Sequence, residues 1–308
     1  MRLSFHPLLL AGLALAASVH AQPAAAPAAP AKPNAGEELR RLCETVSMHP
    51  ADAREMARRA ECILAGVLPV QDRIGEARML ARAAHKAGEP SGGLMLYLVY
   101  LQDPAYRAVR DGKVDAQVYQ RLAARNGFER AEQIEAIEGL GFAAGRNHPA
   151  AGMLLANYFH DTVAPRNVSR MGAIAALLAR NGEKNEIIDR FAREADVIAR
   201  TGPTKASARS FLEAYRNAAA TATAAFKEQK GGQSCASVEL KSLSSGDVEG
   251  AAYLPLKGKL VADSYLVNGT WSELWNFHAC GTEVPVNVTF QADGWGGTTS
   301  TATHHKGG

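Results

Sequence analysis

Residues 81–88 read ARAAHKAG, and they lie in the stretch 78–158 around which this chain is organised. The pattern returns as QRLAARNG at 120–127 and, in a shorter form, as LLARNG at 177–182. Each is an alanine-rich segment that carries cations and closes on glycine. This predicts a helix C-terminus, because glycine takes the left-handed position and Lys or Arg offsets the negative end of the dipole. Short helices that end alike predict a stack of helical hairpins, which is more typical of binding than of catalysis.

A second pattern places a small residue, a leucine and a tyrosine four residues apart on one helix face. It occurs at Gly92, Leu96 and Tyr100, at Ala150, Leu154 and Tyr158, and in part at Ala136 and Leu140. The small residue lets two helices approach, and the larger side chains fill the groove between them. With the preceding Lys-Ala-Gly at 86–88, the pattern resembles the Sel-one-like repeat, a relative of the tetratricopeptide repeat, over about residues 52–182.

The resemblance implies a scaffold that binds proteins on a concave helical face and carries out no chemistry. The intervals between Gly88, Gly127 and Gly182 are uneven, whereas a regular repeat holds one period. An irregular α-hairpin domain without a true repeat is therefore the alternative to a solenoid.

The first 36 residues predict export. Arg2, the apolar run 8–19 and a small-residue cleavage site ending at Ala21 are typical of a signal peptide over 1–21. An uncleaved anchor is the alternative, but no later segment has the roughly 20 apolar residues of a spanning helix. Residues 22–36 form a Pro/Ala-rich tract, which predicts a disordered linker. The mature protein is therefore expected to be periplasmic or secreted.

Charge and cysteine content indicate which partners and which cysteine chemistry to expect. The chain has 34 Lys+Arg and 31 Asp+Glu, and this near balance argues against a nucleic-acid partner. An even number of cysteines in an exported chain predicts disulfides. Three pairings of the four cysteines exist in principle, and the local ones, Cys43 with Cys62 and Cys235 with Cys280, each fall inside one predicted domain. No CxxC occurs, so neither a redox motif nor a structural zinc site is expected.

The pattern changes after a helical domain predicted over 37–229. From residue 230, apolar and polar residues alternate and β-formers dominate, which predicts a small antiparallel β module over 230–303 and a disordered tail at 304–308. The expected fold class is thus α+β in separate domains. Asn268-Gly269 predicts a type I′ hairpin turn that pairs Leu266 with Trp271 and Ala262 with Trp275. One sheet face would then carry Leu260, Ala262, Leu266, Trp271, Trp275 and Phe277.

The segment 271–275, which reads WSELW, is the sharpest candidate binding site. Its alternation places Trp271, Glu273 and Trp275 on one sheet face, an arrangement suited to stacking on a sugar while the carboxylate binds hydroxyls. The favoured alternative is that both tryptophans are core and Glu273 reaches the rim, because small β modules need their aromatic residues inside. Trp295, in the glycine-rich turn 292–297, is the tryptophan expected to be most exposed.

Signatures of catalysis are absent from the sequence. It contains no nucleophile elbow, zinc-protease motif, phosphate loop or dinucleotide fingerprint. His160 stands beside Asp161 but has no nucleophile or metal ligand near it in sequence, so a helix-end histidine is the favoured interpretation. We therefore expect no catalytic residue, no metal and no cofactor.

These observations support two functional hypotheses. The first is a non-catalytic exported scaffold of the bacterial cell envelope that engages a protein or peptide through its helical-repeat surface. The alternative is binding of peptidoglycan or another polysaccharide through Trp271, Glu273, Trp275 and Trp295.

Overall fold

The computed structural model describes residues 35–102, 130–254 and 264–306. The expected signal peptide, most of the expected linker and the pattern at 120–127 lie outside these residues, as do Leu260 and Ala262. The described helices are α1 (Ala35–Glu44), α2 (Ala53–Leu64), α3 (Arg73–Lys86), α4 (Pro90–Gln102), α5 (Ala131–Gly145), α6 (Pro149–Asp161), α7 (Asn167–Arg180), α8 (Glu186–Thr201) and α9 (Ala208–Gln229). Helix α1 thus starts two residues before the predicted domain boundary.

Two of the predicted helix ends are confirmed. Helices α3 and α7 are followed by Gly88 and Gly182, and each of these glycines has a φ of 88°. The N–H groups of Gly88 and Glu89 donate to carbonyls in the last turn of α3, as expected of a left-handed glycine cap. Capping chemistry therefore fixes these ends as the sequence predicts.

Helices α4 and α5 cross with their backbones in contact. A Cβ atom added at Gly93 would lie 2.4 Å from the Gly139 carbonyl oxygen, and one added at Gly139 would lie 2.8 Å from the Gly93 carbonyl oxygen. Since the obstacle on both sides is backbone, neither helix can make room by changing a rotamer. The crossing therefore fixes the separation of these two helices.

Most residues of the predicted packing pattern are buried or half-buried, and the exception lies in α6. Gly92, Leu96, Ala136, Leu140 and Tyr158 are buried, and Tyr100 and Leu154 are half-buried. Ala150, however, is exposed, and the small residues that pack in α6 are its neighbours Ala151 and Gly152. Consecutive helices contact one another along the described chain. A regular solenoid nevertheless stays a prediction.

The strands form one antiparallel sheet. They are β1 (Val238–Ser245), β2 (Glu249–Tyr253), β3 (Leu266–Ala279), β4 (Thr282–Ala292) and β5 (Thr298–His304). The order is β1-β3-β4-β5, and β2 pairs with the first residues of β3 on the same edge as β1. Because β5 reaches His304 and the His305 N–H donates to the Pro285 carbonyl, the predicted disorder of these two histidines is wrong.

The prediction of a hairpin turn at Asn268-Gly269 is also wrong, since both residues lie inside β3. A Cβ atom on Gly269 would lie 2.6 Å from Val248 Cγ1, so this glycine permits a close approach of the segment that leads into β2. The tight turn instead falls at Cys280-Gly281, where φ is 46° and 80° and Ala279 pairs with Thr282. The register follows from this turn: Trp271 pairs with Phe290 and Trp275 with Val286.

One hydrophobic core joins the later helices to the sheet. Buried residues of α5 to α9 and of β1, β3 and β4 belong to the same cluster. The ring of Trp275 lies 4.8 Å from that of Phe211 in α9, and the ring of Phe277 lies 5.9 Å from that of Tyr215. The α+β composition is therefore confirmed, whereas the separation into two domains is not. A smaller core lies among α2, α3 and α4.

Both expected disulfides are present. Cys43–Cys62 links α1 to α2, and Cys235–Cys280 links the segment before β1 to the β3–β4 turn. Two disulfides fit an extracellular or periplasmic protein. Among the described residues, no helix has the length and apolar character needed to cross a bilayer.

We predict that Gly93→Ala lowers the free energy of unfolding by about 2 kcal/mol, because the overpacking outweighs the gain in helix propensity. Gly139→Ala should behave alike. The measurement is urea unfolding followed by circular dichroism. Gly145→Ala, in the same helix α5 as Gly139, is the control, since its added Cβ would meet nothing within 4 Å. Equal stability of the Gly93 and Gly145 variants would contradict the backbone contact.

Candidate functional site

The segment 271–275 does not present a stacking surface. Trp271 and Trp275 are 2% and 0% exposed, and both pack against aromatic neighbours in the core. This is the arrangement that the sequence favoured for the tryptophans. Glu273, however, is not at the rim: it is 0% exposed and points into the same core.

The Glu273 carboxylate is held by side chains of its own strand and by the loop between α8 and α9. Trp271 Nε1 donates to Oε1 at 3.1 Å and Trp275 Nε1 donates to Oε2 at 2.9 Å. The Thr204 hydroxyl donates at 2.8 Å and the Lys205 backbone N–H at 2.9 Å, both to Oε1. Since each carboxylate oxygen has donors and neither meets solvent, this cluster joins sheet to helices and is no binding surface.

A cleft of about 340 Å³ opens nearby, where four helices meet the β4–β5 turn. Its aromatic wall comes from Tyr97, Tyr100, Tyr158, Tyr265 and Trp295. Its polar wall comes from Gln133, Asp161, Arg209, Glu213 and Asp293. A concave site with aromatic walls and a few converging polar groups is the usual form of a small binding site.

Arg130 anchors the turn side of the cleft. Its guanidinium lies 4.3 Å from the centroid of the Trp295 ring, and its NH1 donates to the Tyr265 hydroxyl at 3.0 Å and to the Gly294 carbonyl. Only 2% of Arg130 is exposed. The start of α5 is thereby linked to the β4–β5 turn. Trp295 is half-buried at the cleft and is the most exposed of the three tryptophans, as the sequence predicted.

The segment that follows α6 also contacts the β4–β5 turn. The Val163 N–H donates to the Gly296 carbonyl at 2.7 Å, and the Val163 carbonyl accepts from the Leu266 N–H at 2.7 Å. A Cβ atom on Gly296 would lie 2.8 Å from Thr162 Cγ2, so only glycine allows this approach. These contacts set the distance between Tyr158 on α6 and Trp295 on the turn.

Asp293 shapes the turn and carries a perturbed acidity. Its Oδ1 accepts from the backbone N–H groups of Trp295, at 2.7 Å, and Gly297, at 3.0 Å. Burial raises the pKa of Asp293 above its ordinary value of 3.8, although these hydrogen bonds and the charge of Arg130 oppose the rise. A buried carboxyl with a raised pKa in a cleft is a frequent mark of a functional site.

Two further carboxylates line the cleft. Asp161 Oδ1 lies 2.7 Å from His160 Nδ1, and His160 Nε2 lies 3.1 Å from Glu194 Oε2. Glu213 accepts from Arg209 Nε at 3.0 Å within α9. Among the described residues of the wall, the one arginine is therefore paired with one of the three carboxylates.

The side-chain oxygen of Gln133 is a buried hydrogen-bond acceptor that no described group donates to. Gln133 is 4% exposed, it lines the cleft, and its Oε1 has no hydrogen-bond partner in the described part of the chain. Buried side-chain oxygens are nearly always hydrogen-bonded, and an exception in a cleft points to a ligand donor.

Other polar groups and grooves offer less. Arg59 on α2 is buried and donates to the Ser47 carbonyl at 3.0 Å. Among the described residues, no group of three or more His, Cys, Asp or Glu is placed to hold a metal ion. A second groove of about 340 Å³ between α5, α6 and α7 has mainly small and aliphatic walls. The aromatic cleft is therefore the candidate site.

Comparison of this chain with protein-family models, with curated proteins and with solved structures finds no match. The Sel-one-like resemblance therefore stays a prediction, and the site is interpreted from its own chemistry.

Sequence reasoning singled out Tyr100, Tyr158 and Trp295 but not Gln133 or Tyr265. The first three stand in recognisable patterns, namely a helical repeat of small residues and a glycine-rich turn. Gln133 lies on a predicted helix without a distinctive neighbour, and Tyr265 lies before a strand that was misplaced. A buried glutamine on an apolar helix face was the one usable signal for Gln133.

We predict that Glu273→Gln lowers the free energy of unfolding by about 3 kcal/mol. The two indole N–H groups donate to different oxygens, so one of them must face the amide NH₂ of the variant, whichever way that amide points. Urea unfolding measures the loss. Glu249→Gln on the exposed strand β2 is the matched control and should change stability by less than ~0.5 kcal/mol. A Glu273 variant as stable as this control would show that the carboxylate does not hold the junction.

The pKa of Asp293 leads to a prediction about pH. Because the folded-state pKa is raised, this group stabilises the fold at low pH, and that contribution is lost as pH rises through the folded pKa. Asp293→Asn keeps the Oδ1 acceptor and removes the buried charge. The wild-type free energy of unfolding should therefore fall, relative to that of the variant, as the pH rises above the ordinary pKa of 3.8. Parallel pH profiles for the two proteins would refute this.

Proposed function

We propose that this chain is a non-catalytic, exported binding protein of the bacterial cell envelope, and that it engages a protein or peptide partner through the cleft between its helices and the β4–β5 turn. The observation that carries the proposal is the cleft of about 340 Å³, which five aromatic side chains of the described residues line, three of them on helices. Its size lies at the lower end of ligand sites, which suits one anchoring side chain of a larger partner.

The bonding of the polar groups supports binding rather than chemistry. Asp293 is engaged with its own turn, Glu213 with Arg209 and Asp161 with His160. A general base needs a substrate proton within reach, whereas these carboxylates are oriented by neighbours and act as a fixed field. Aromatic residues and arginine held on a rigid support are typical of residues that dominate the affinity of protein interfaces.

Glycan binding, the alternative, has less support. Trp271 and Trp275 are buried, and Glu273 is saturated with internal donors. Only Trp295 lines the cleft, and the guanidinium of Arg130 lies over its ring. One tryptophan with an occupied face offers less stacking area than the three tryptophans on which this hypothesis was based.

Site-specific crosslinking in the native envelope tests the proposal. A photoreactive amino acid replaces Thr298, which lines the cleft, and in a separate protein replaces Thr303, which is exposed elsewhere on β5. We expect a light-dependent protein adduct at position 298 and none at 303, and we expect Trp295→Ala to abolish it because the anchor is lost.

An absent adduct at 298, or one that also forms at 303 and survives Trp295→Ala, would count against the cleft as the partner site. Retention on peptidoglycan or polysaccharide that depends on Trp295 would favour the glycan alternative. Urea unfolding of each variant confirms that it is folded.

A further inference from the structure

The charges on the cleft wall are unequal in sign. Among the described residues, Asp161, Glu213 and Asp293 line it together with one arginine, Arg209. Arg209 pairs with Glu213 at 3.0 Å, so these two charges offset each other. Arg130 stands behind the Trp295 ring, and it keeps its positive charge because its acceptors, the Tyr265 hydroxyl and the Gly294 carbonyl, are neutral. It therefore offsets part of the charge of Asp293. Among the described residues, three carboxylates against two arginines still leave an excess of negative charge, which favours a cation.

The aromatic wall has the same preference. The faces of tyrosine and tryptophan rings carry negative electrostatic potential and attract ammonium and guanidinium groups within about 6 Å. Trp295 already holds the guanidinium of Arg130 at 4.3 Å on one of its faces. The other four rings are tyrosines from α4, α6 and the segment before β3.

Gln133 adds an independent requirement. Its Oε1 is buried, lines the cleft and lacks a donor in the described part of the chain. A ligand that satisfies it must bring an N–H or O–H group. Primary ammonium and guanidinium groups have such donors, whereas a quaternary ammonium or an aliphatic group does not.

We propose that the cleft receives the side chain of a lysine or arginine from the partner, with the ammonium or guanidinium donating to Gln133 Oε1 and lying against the carboxylates and tyrosine faces. This inference rests on the proposed function, because it specifies the chemistry of the partner that the cleft binds. The aliphatic stem of the side chain would lie along Ile137 and Leu101, which also line the cleft.

A titration of the full-length, ¹⁵N-labelled protein tests the proposal. The probe is N-acetyl-lysine N-methylamide, and its neutral control is N-acetyl-norleucine N-methylamide, which keeps the stem and lacks the charge. The three indole N–H signals report the site: Trp295 lines the cleft, while Trp271 and Trp275 donate to the buried Glu273 and serve as internal references. Trp295→Phe assigns the reporter signal.

We expect the lysine probe to shift the Trp295 signal with half-saturation on the order of 1 mM, and the norleucine probe to bind at least ~10-fold more weakly. Gln133→Leu and Glu213→Gln should each weaken binding by roughly 3-fold or more, since each removes an acceptor or a charge from the wall. The matched control Glu249→Gln, exposed on β2, should bind as the wild type does. Unchanged Trp271 and Trp275 signals confirm that the variants are folded.

Equal binding of the lysine and norleucine probes would overturn the proposal, as would unchanged affinity in the Gln133 and Glu213 variants. The absence of any Trp295 shift with the lysine probe or its arginine analogue up to about 50 mM would do the same. If the crosslink at position 298 still forms in that case, the partner site stands and only its cationic anchor is lost. If the probe binds but no protein adduct forms, the cleft takes a small cation and the proposed function fails instead.

Discussion

The junction between the helices and the sheet depends on the hydrogen bonds of the buried Glu273 carboxylate. A buried charge without partners costs several kcal/mol, so the fold must bring donors to it from every side. Two donors are indoles of the same strand, and the others come from the loop that leads into α9. Fixing that loop fixes where α9 starts on the sheet, and Arg209 and Glu213 follow within the first two turns. The positions of Arg209 and Glu213 on the cleft wall thus depend on satisfying a buried carboxylate outside the cleft.

The same junction joins the sheet to the later helices in one hydrophobic core. The inner face of the sheet buries Trp275 and Phe277 against α9, and its last turn is tied to α5 through Arg130 and to α6 through Val163. Each tie involves a group that would be unsatisfied or exposed if the sheet stood alone. A cleft built at such a junction has walls from both layers, so its shape depends on their being held together.

Local chemistry could be predicted from the sequence, and long-range pairing could not. The glycine caps after α3 and α7 and the two disulfides follow from short-range rules, and they are found as expected. The Asn268-Gly269 turn failed because the same dipeptide also suits a point where another segment presses against a strand, and only the partner Val248 decides between these uses. For the candidate site, Trp295 and two tyrosines could be found from patterns. Gln133 left only the signal of a polar residue on an apolar helix face, and Arg130 and Tyr265 left none, because their roles arise from contacts between segments far apart in the chain.

The Gly93–Gly139 crossing has a consequence for ancestry. The contact is between two main chains, so a larger residue at one position cannot be accommodated by a smaller side chain at the other. Descendants of the same fold should therefore keep both small residues or abandon the crossing entirely. This pair of small residues, rather than overall sequence identity, is the feature by which distant homologues of the chain could be recognised.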